Sequence, residues 1–118
     1  YGFEPTAYAA TAGVANAGLT NLMRQFSWAL GERGITAHLV APGPADTERL
    51  RNVANARAAQ RGISVEEVFD ELKEESAIHA FTTPDQVAWG ICVLLAPEAD
   101  AMAGSSLMLD SGRRRGLP

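Results

Sequence analysis

The densest set of side chains able to do chemistry is acidic: Glu66, Glu67, Asp70, Glu71, Glu74 and Glu75. Carboxylates can hold a metal ion, but no His or Cys stands at ligand spacing within this run. The run therefore reads as the solvated face of a helix. His79 follows it as a lone imidazole, for which a surface or packing role is preferred over catalysis. Arg113, Arg114 and Arg115 can clamp a phosphate or trail in solvent, and the solvated tail is the preferred reading. A different chemistry is available at Pro42-Gly43-Pro44-Ala45-Asp46-Thr47. Gly43 lets the backbone approach a flat ligand closely. Thr47 adds a hydroxyl that both donates and accepts. A purely local role is also open, in which Pro-Gly ends a strand and Asp46 or Thr47 caps the next helix.

The elements that must position this loop lie on either side of it. Leu19, Leu22, Phe26 and Leu30 recur at helical spacing, with Met23 widening the stripe and Arg24, Gln25 and Glu32 falling off it. The Ala-rich segment from Ala7 leads into this helix, and Gly34 after Arg33 suits its C-terminal cap. Ile35 to Val40 is too short for a helix and predicts a strand buried on both faces. Helix, strand and Gly/Pro loop make half of an α/β nucleotide-fold unit, and in open parallel sheets ligands bind at that end of the strand.

Beyond the loop, residues 46–61 and 64–78 predict two helices, the second opened by a Ser64-x-x-Glu67 capping box with Val65, Val68, Phe69 and Leu72 on one face. Thr83-Pro84-Asp85-Gln86 opens another helix, whose stripe Val87, Ile91, Leu94 and Leu95 is expected to be buried and which Pro97 ends. Ser106 to Leu109 reads as the last strand, parallel to the first through a right-handed crossover.

Bulk properties narrow the partners. At 118 residues the chain is one domain or part of one. It begins at Tyr1 rather than Met, without a signal peptide or a transmembrane run, and reads as the distal part of a longer protein. A net charge of -4 supplies no electrostatic reason to expect nucleic acid or an anionic membrane as a partner. The single Cys92 forms no internal disulfide, which suits a reducing cytoplasm.

The run GLTNLMRQFSWALGERGITAHLVAPGPADT resembles the C-terminal half of a short-chain dehydrogenase/reductase. TTPDQVAWGICVLLAPEADAMAG and SLMLDSG resemble that family's last helix and its final strand, which ends in an Asp-Gly-Gly-like turn. The resemblance implies the distal portion of a single Rossmann-like, doubly wound parallel sheet spanning 1–118, with 46–80 as a substrate lid. It implies NAD or NADP as cofactor, with Pro42, Gly43, Ala45 and Thr47 holding the nicotinamide carboxamide. The implied function is interconversion of a hydroxyl and a carbonyl group by hydride transfer on a small-molecule substrate. The implied assembly is a homo-oligomer built on the long helix, the last helix and the last strand.

The family's Tyr-x-x-x-Lys pair is absent. Its Tyr hydroxyl relays a proton at the substrate oxygen, and the ammonium lowers a phenol pKa of about 10 towards working pH. Counting back from Gly34 puts Ala12 at the Tyr position and Asn16 at the Lys position, while starting from Tyr8 puts Ala12 where Lys belongs. The one lysine is Lys73, inside the acidic run. Ketoreductase domains of polyketide synthases resemble the family but carry Asn four residues after the Tyr and Lys on an earlier helix; here Asn16 stands eight residues after Tyr8. Tyr8 is the best available proton donor, and by that likeness Asn16 bonds the cofactor ribose or a water in a proton relay; Asn16 is otherwise a polar residue near a helix start. The Gly-rich phosphate loop and the catalytic Ser belong to the first half of such a fold and are not in this sequence. An alternative follows from the degenerate pair: a catalytically silent, dehydrogenase-like subunit that serves assembly.

Overall fold

The computed structural model describes residues 2–4 and 9–116. Six elements follow in order: helix α1 (Ala10–Leu30), strand β1 (Leu39–Pro42), helices α2 (Glu48–Arg61), α3 (Val65–Glu74) and α4 (Pro84–Leu94), and strand β2 (Ser106–Leu109). The chain divides into two compact units. The first comprises Tyr1–Val40, Ile91–Leu107 and Gly116–Pro118; the second comprises Ala41–Gly90 and Met108–Arg115.

β1 and β2 pair as a two-stranded sheet. Leu39 N–H donates to Ser105 O and Gly43 N–H to Leu109 O, so donor and acceptor advance together along both strands and the pair is parallel. β2 matches the predicted strand residue for residue. β1 does not: it begins at Leu39 and runs through Pro42, and its residues are half-buried or exposed. Among the described residues β1 pairs with a single strand, and that open edge leaves the apolar Leu39–Pro42 run short of full burial.

In the first unit α1 runs unbroken, and a single 3₁₀ turn (Gly31–Arg33) leads to Gly34 in the left-handed conformation, φ 71°. Gly34 N–H closes that turn on Gly31 O, as its place after Arg33 predicts. Ser27 Oγ and Gly104 N–H both donate to Ala37 O, at 3.0 and 2.9 Å, which fixes the approach to β1. The apolar stripe of α1 forms at the predicted spacing without being buried: Leu19, Leu22 and Phe26 are exposed, and Trp28 is 89% exposed. A helical stripe needs a second layer for burial, and helical order does not by itself supply one. The two ring nitrogens of His38 and the hydroxyl of Ser105 are shielded from solvent without a hydrogen-bond partner among the described residues, at a cost in desolvation.

The second unit has its own core. Ala54 and Ala58 of α2 meet Val68 and Leu72 of α3, with Leu50, Ile63, Val65, Phe69 and Phe81 packed around them. The two alanines, one helical turn apart, let α3 come close, and each fully buried aliphatic side chain contributes about 1.5–3 kcal/mol. The connection is stapled at both edges. Gly62 caps α2 at φ 69°. Ser64 and Glu67 form the predicted capping box, each side chain bonding the other's backbone N–H. Arg61 makes a two-pronged pair with Glu71, at 2.5 and 2.8 Å.

α4 opens as predicted: Thr83 N–H donates to Gln86 Oε1 and Gln86 N–H to Thr83 Oγ1. Its expected buried stripe is corrected. Gly90 alone is buried in α4, Val87 and Leu94 are half-buried, and Ile91 and Leu95 are exposed. The reason is the same as in α1, because apolar spacing sets which face seeks a partner and not whether one is present.

Candidate functional site

The predicted loop residues come together in the second unit, directly after β1. Pro42 and Asp46 are exposed, and Gly43, Ala45 and Thr47 are half-buried. Gly43 N–H donates to Leu109 O at 3.0 Å, holding the loop against the end of β2. The fit is tight: a Cβ on Gly43 would lie 2.9 Å from Asp110 Cα and 3.2 Å from Asp110 Cβ and O. The glycine is therefore required by backbone approach within the chain.

Ala45 forms an isolated parallel bridge with Thr82. The bonds of that bridge come from its flanking residues: Thr82 N–H donates to Pro44 O at 3.0 Å, and Asp46 N–H donates to Thr82 O at 2.9 Å. In a parallel pairing this turns Ala45's own N–H away from Thr82. Among the described residues it donates to no backbone carbonyl.

Thr47 is the N-cap of α2, with Leu50 N–H donating to its Oγ1 at 3.4 Å, and the hydroxyl donates to Ala45 O at 3.2 Å. The local capping role is thus real. It consumes the hydroxyl proton and one lone pair and leaves the second lone pair as an acceptor. Asp46 does not cap the helix; its carboxylate pairs with Arg51 at 2.9 Å.

Asn16 belongs to the first unit. It sits two turns inside α1 rather than near its start, exposed, with its carbonyl accepting from Thr20 Oγ1 at 2.9 Å. A Cβ on Gly2 would lie 2.7 Å from Asn16 Cβ, so the start of the chain passes closely over this point. Tyr8 lies outside the described residues.

Two residues outside the predicted site set, Thr82 and Asp110, organise the loop. Thr82 is 2% exposed and has every polar group engaged, its Oγ1 donating to Leu109 O at 2.6 Å. Asp110 closes the turn after β2, its carboxylate accepting from Gly112 N–H and Arg114 N–H, each at 3.0 Å. The Asp-Ser-Gly turn was visible as a likeness to Asp-Gly-Gly, and Ser111 indeed adopts φ 57°, where glycine is at ease. Nothing local marks Thr82, whose partners lie far along the chain.

Five carboxylates of the acidic run on and just after α3 are engaged rather than converging. Glu67 completes the capping box, Glu71 pairs with Arg61, Asp70 with Lys73, Glu74 with His79 and Glu75 with Arg113. Hydrogen bonds from Ser64 hold the Glu67 carboxyl below the ordinary 4.5, and the bond from Arg61 does the same for Glu71. Among the described residues no group of three or more His, Cys, Asp or Glu is placed to hold a metal ion, and no helix is long and apolar enough to cross a membrane. A shallow depression of about 560 Å³ lies along α2, lined by Glu48, Arg49, Asn52, Val53 and Ala56. The loop residues do not line it.

A family model described as enoyl-(acyl carrier protein) reductase matches residues 4–114. The short-chain reductase protein NovJ of Streptomyces niveus is 30% identical over 104 residues, covering 88% of this chain and 37% of that protein. A short chain dehydrogenase family protein of Francisella tularensis superposes with a TM-score of 0.90 at 21% identity, over 95% of this chain and 46% of that one. A variant of actinorhodin polyketide ketoreductase, solved with NADPH, superposes at 0.89 with 24% identity, over 98% of this chain and 44% of that one. The chain spans less than half the length of each of these proteins. The two solved structures establish the fold, a Rossmann-like α/β arrangement with parallel strands. With the family match running from Glu4 to Arg114, the chain belongs to the short-chain dehydrogenase/reductase family.

Proposed function

We propose that this chain is the distal part of an NAD(P)-dependent oxidoreductase that interconverts a hydroxyl and a carbonyl group on a small-molecule substrate. The observation that carries the reading is the arrangement at Ala45: a backbone N–H turned off its bridge, beside a half-buried threonine hydroxyl with a spare lone pair. A primary carboxamide has one carbonyl acceptor and one amino donor, and the two protein groups match that pair. The loop residues thus fit the nicotinamide end of the cofactor. When bound, that group would supply the hydride to a carbonyl carbon or accept it from a hydroxyl-bearing carbon.

The residues of this chain have other tasks. Pro42 and Gly43 present a face without a long side chain, Ala45 donates a backbone hydrogen bond, and Thr47 accepts one while capping α2. The α2–α3 hairpin, inside 46–80, serves as the substrate lid. Asn16 contributes a polar group from α1, and Tyr8 is the proton donor of the reading. NADPH in the actinorhodin ketoreductase and the reductase name of NovJ favour the same chemistry in relatives. The reading carries with it a cytoplasmic homo-oligomer.

The experiment is a thermal-shift and fluorescence-quenching titration of the full-length protein with NADH and with NADPH. Stabilisation and quenching by one of them is the expected result. Silence with both removes the cofactor and the oxidoreductase reading together.

A further inference from the structure

Thr82 joins three pieces of the second unit within three residues. Phe81 before it packs edge-on against Phe69 in the α2–α3 core, with ring centroids 5.7 Å apart. Thr83 after it caps α4. Thr82 itself bonds the loop on both sides of Ala45 through its backbone, and the end of β2 through its hydroxyl. Leu109 O accepts from both Thr82 Oγ1 and Gly43 N–H, so one carbonyl ties the buried threonine to the glycine that starts the loop.

We propose that Thr82 is a positioning residue: it sets the orientation of the Ala45 amide and the spacing of Gly43, and through them the affinity for the nicotinamide end of the cofactor. The inference rests on the reading of the Pro42–Thr47 loop given above. Its physical core is the hydroxyl. A methyl group in place of Oγ1 cannot sit 2.6 Å from a carbonyl oxygen, because carbon–oxygen contacts begin near about 3.3 Å. Thr82→Val therefore pushes the 81–83 segment off Leu109 O, and the bridge that orients Ala45 shifts with it. Thr82→Ser keeps the donor. Thr82→Ala removes the hydroxyl without forcing a methyl into its place.

The test uses the full-length protein and these three variants, with NAD(P)H and ADP-ribose (or its 2′-phosphate) as separate probes. ADP-ribose carries the pyrophosphate but no nicotinamide, so a change in general folding moves both probes and a change in the loop moves only one. Thr82→Val should weaken NAD(P)H binding about tenfold, the size expected for one buried hydrogen bond, and leave ADP-ribose within about twofold. Thr82→Ser should restore wild-type affinity. Equal affinity of wild type and Thr82→Val for NAD(P)H, or equal losses on both probes, overturns the proposal. Should Thr82→Val not fold, the same comparison between Thr82→Ala and Thr82→Ser decides. Amide hydrogen exchange separates this result from failure of the cofactor reading. If wild type binds neither cofactor, that reading falls. Faster exchange at Gly43 and Asp46 in Thr82→Ala than in Thr82→Ser then upholds the positioning of the loop, and unchanged exchange overturns it.

Discussion

Gly43 and Asp110 lie so close that a Cβ on the glycine would sit 2.9 Å from the aspartate's Cα. The neighbour on that side is backbone, which cannot swing away as a long side chain can. Gly43→Ala must therefore part the ends of β1 and β2 or shift the loop, at a cost of about 1–3 kcal/mol. Denaturant titration should show a lower midpoint, and the variant's affinity for NAD(P)H should fall as well. An unchanged midpoint would mean that the strand ends yield freely.

Thr47 has two duties that substitution can separate. Thr47→Val keeps the shape but loses the cap on α2, which costs about 1 kcal/mol. Thr47→Ser should recover both the stability and the cofactor affinity. A Thr47→Val protein with wild-type stability would contradict the capping role.

Ser111 holds a left-handed backbone at φ 57°, which costs a residue with a Cβ of order 1 kcal/mol and a glycine very little. Ser111→Gly is expected to be neutral or to raise the thermal midpoint by a few degrees, offset in part by the greater freedom of glycine in the unfolded chain. A lower midpoint would show that the serine side chain has a role the backbone strain conceals.

The pH dependence follows from Glu67 and Glu71. Both carboxyls are held below the ordinary 4.5, the first by bonds from Ser64 and the second by Arg61. A depressed value in the folded state means that their stabilisation is complete above the ordinary value and is lost as pH falls through the folded one. Thermal midpoints should stay level down to about pH 5 and then drop in acid. The drop should be shallower in the double variant Glu67→Gln/Glu71→Gln. Equal acid sensitivity in the two proteins would place the effect on other carboxylates.

How much of this was written locally explains what could be read early. The two capping boxes, at Ser64/Glu67 and Thr83/Gln86, are contacts within a single turn, and the residue types alone specify them. Gly34 marks a helix end for the same reason. The α3 face of Val68 and Leu72 was legible because its partner, α2, precedes it by one short turn. The stripes of α1 and α4 were equally legible as periodicity, yet they remain exposed, since burial depends on a neighbour that no spacing encodes. The site divides the same way. Gly43 and Thr47 stand out by type, whereas Thr82 acts through Pro44, Asp46 and Leu109, partners that only the folded chain brings to it. The orientation of Ala45's amide is likewise a product of pairing, and alanine itself carries no sign of it.

The central claim is that the nicotinamide ring lies against the backbone from Pro42 to Thr47. It is tested most directly by intermolecular NOEs from the nicotinamide ring protons in isotope-labelled full-length protein bound to NAD(P)H. The account predicts cross-peaks to the Ala45 methyl and to Thr47. A bound cofactor whose nicotinamide protons see other residues and none of this loop would contradict it.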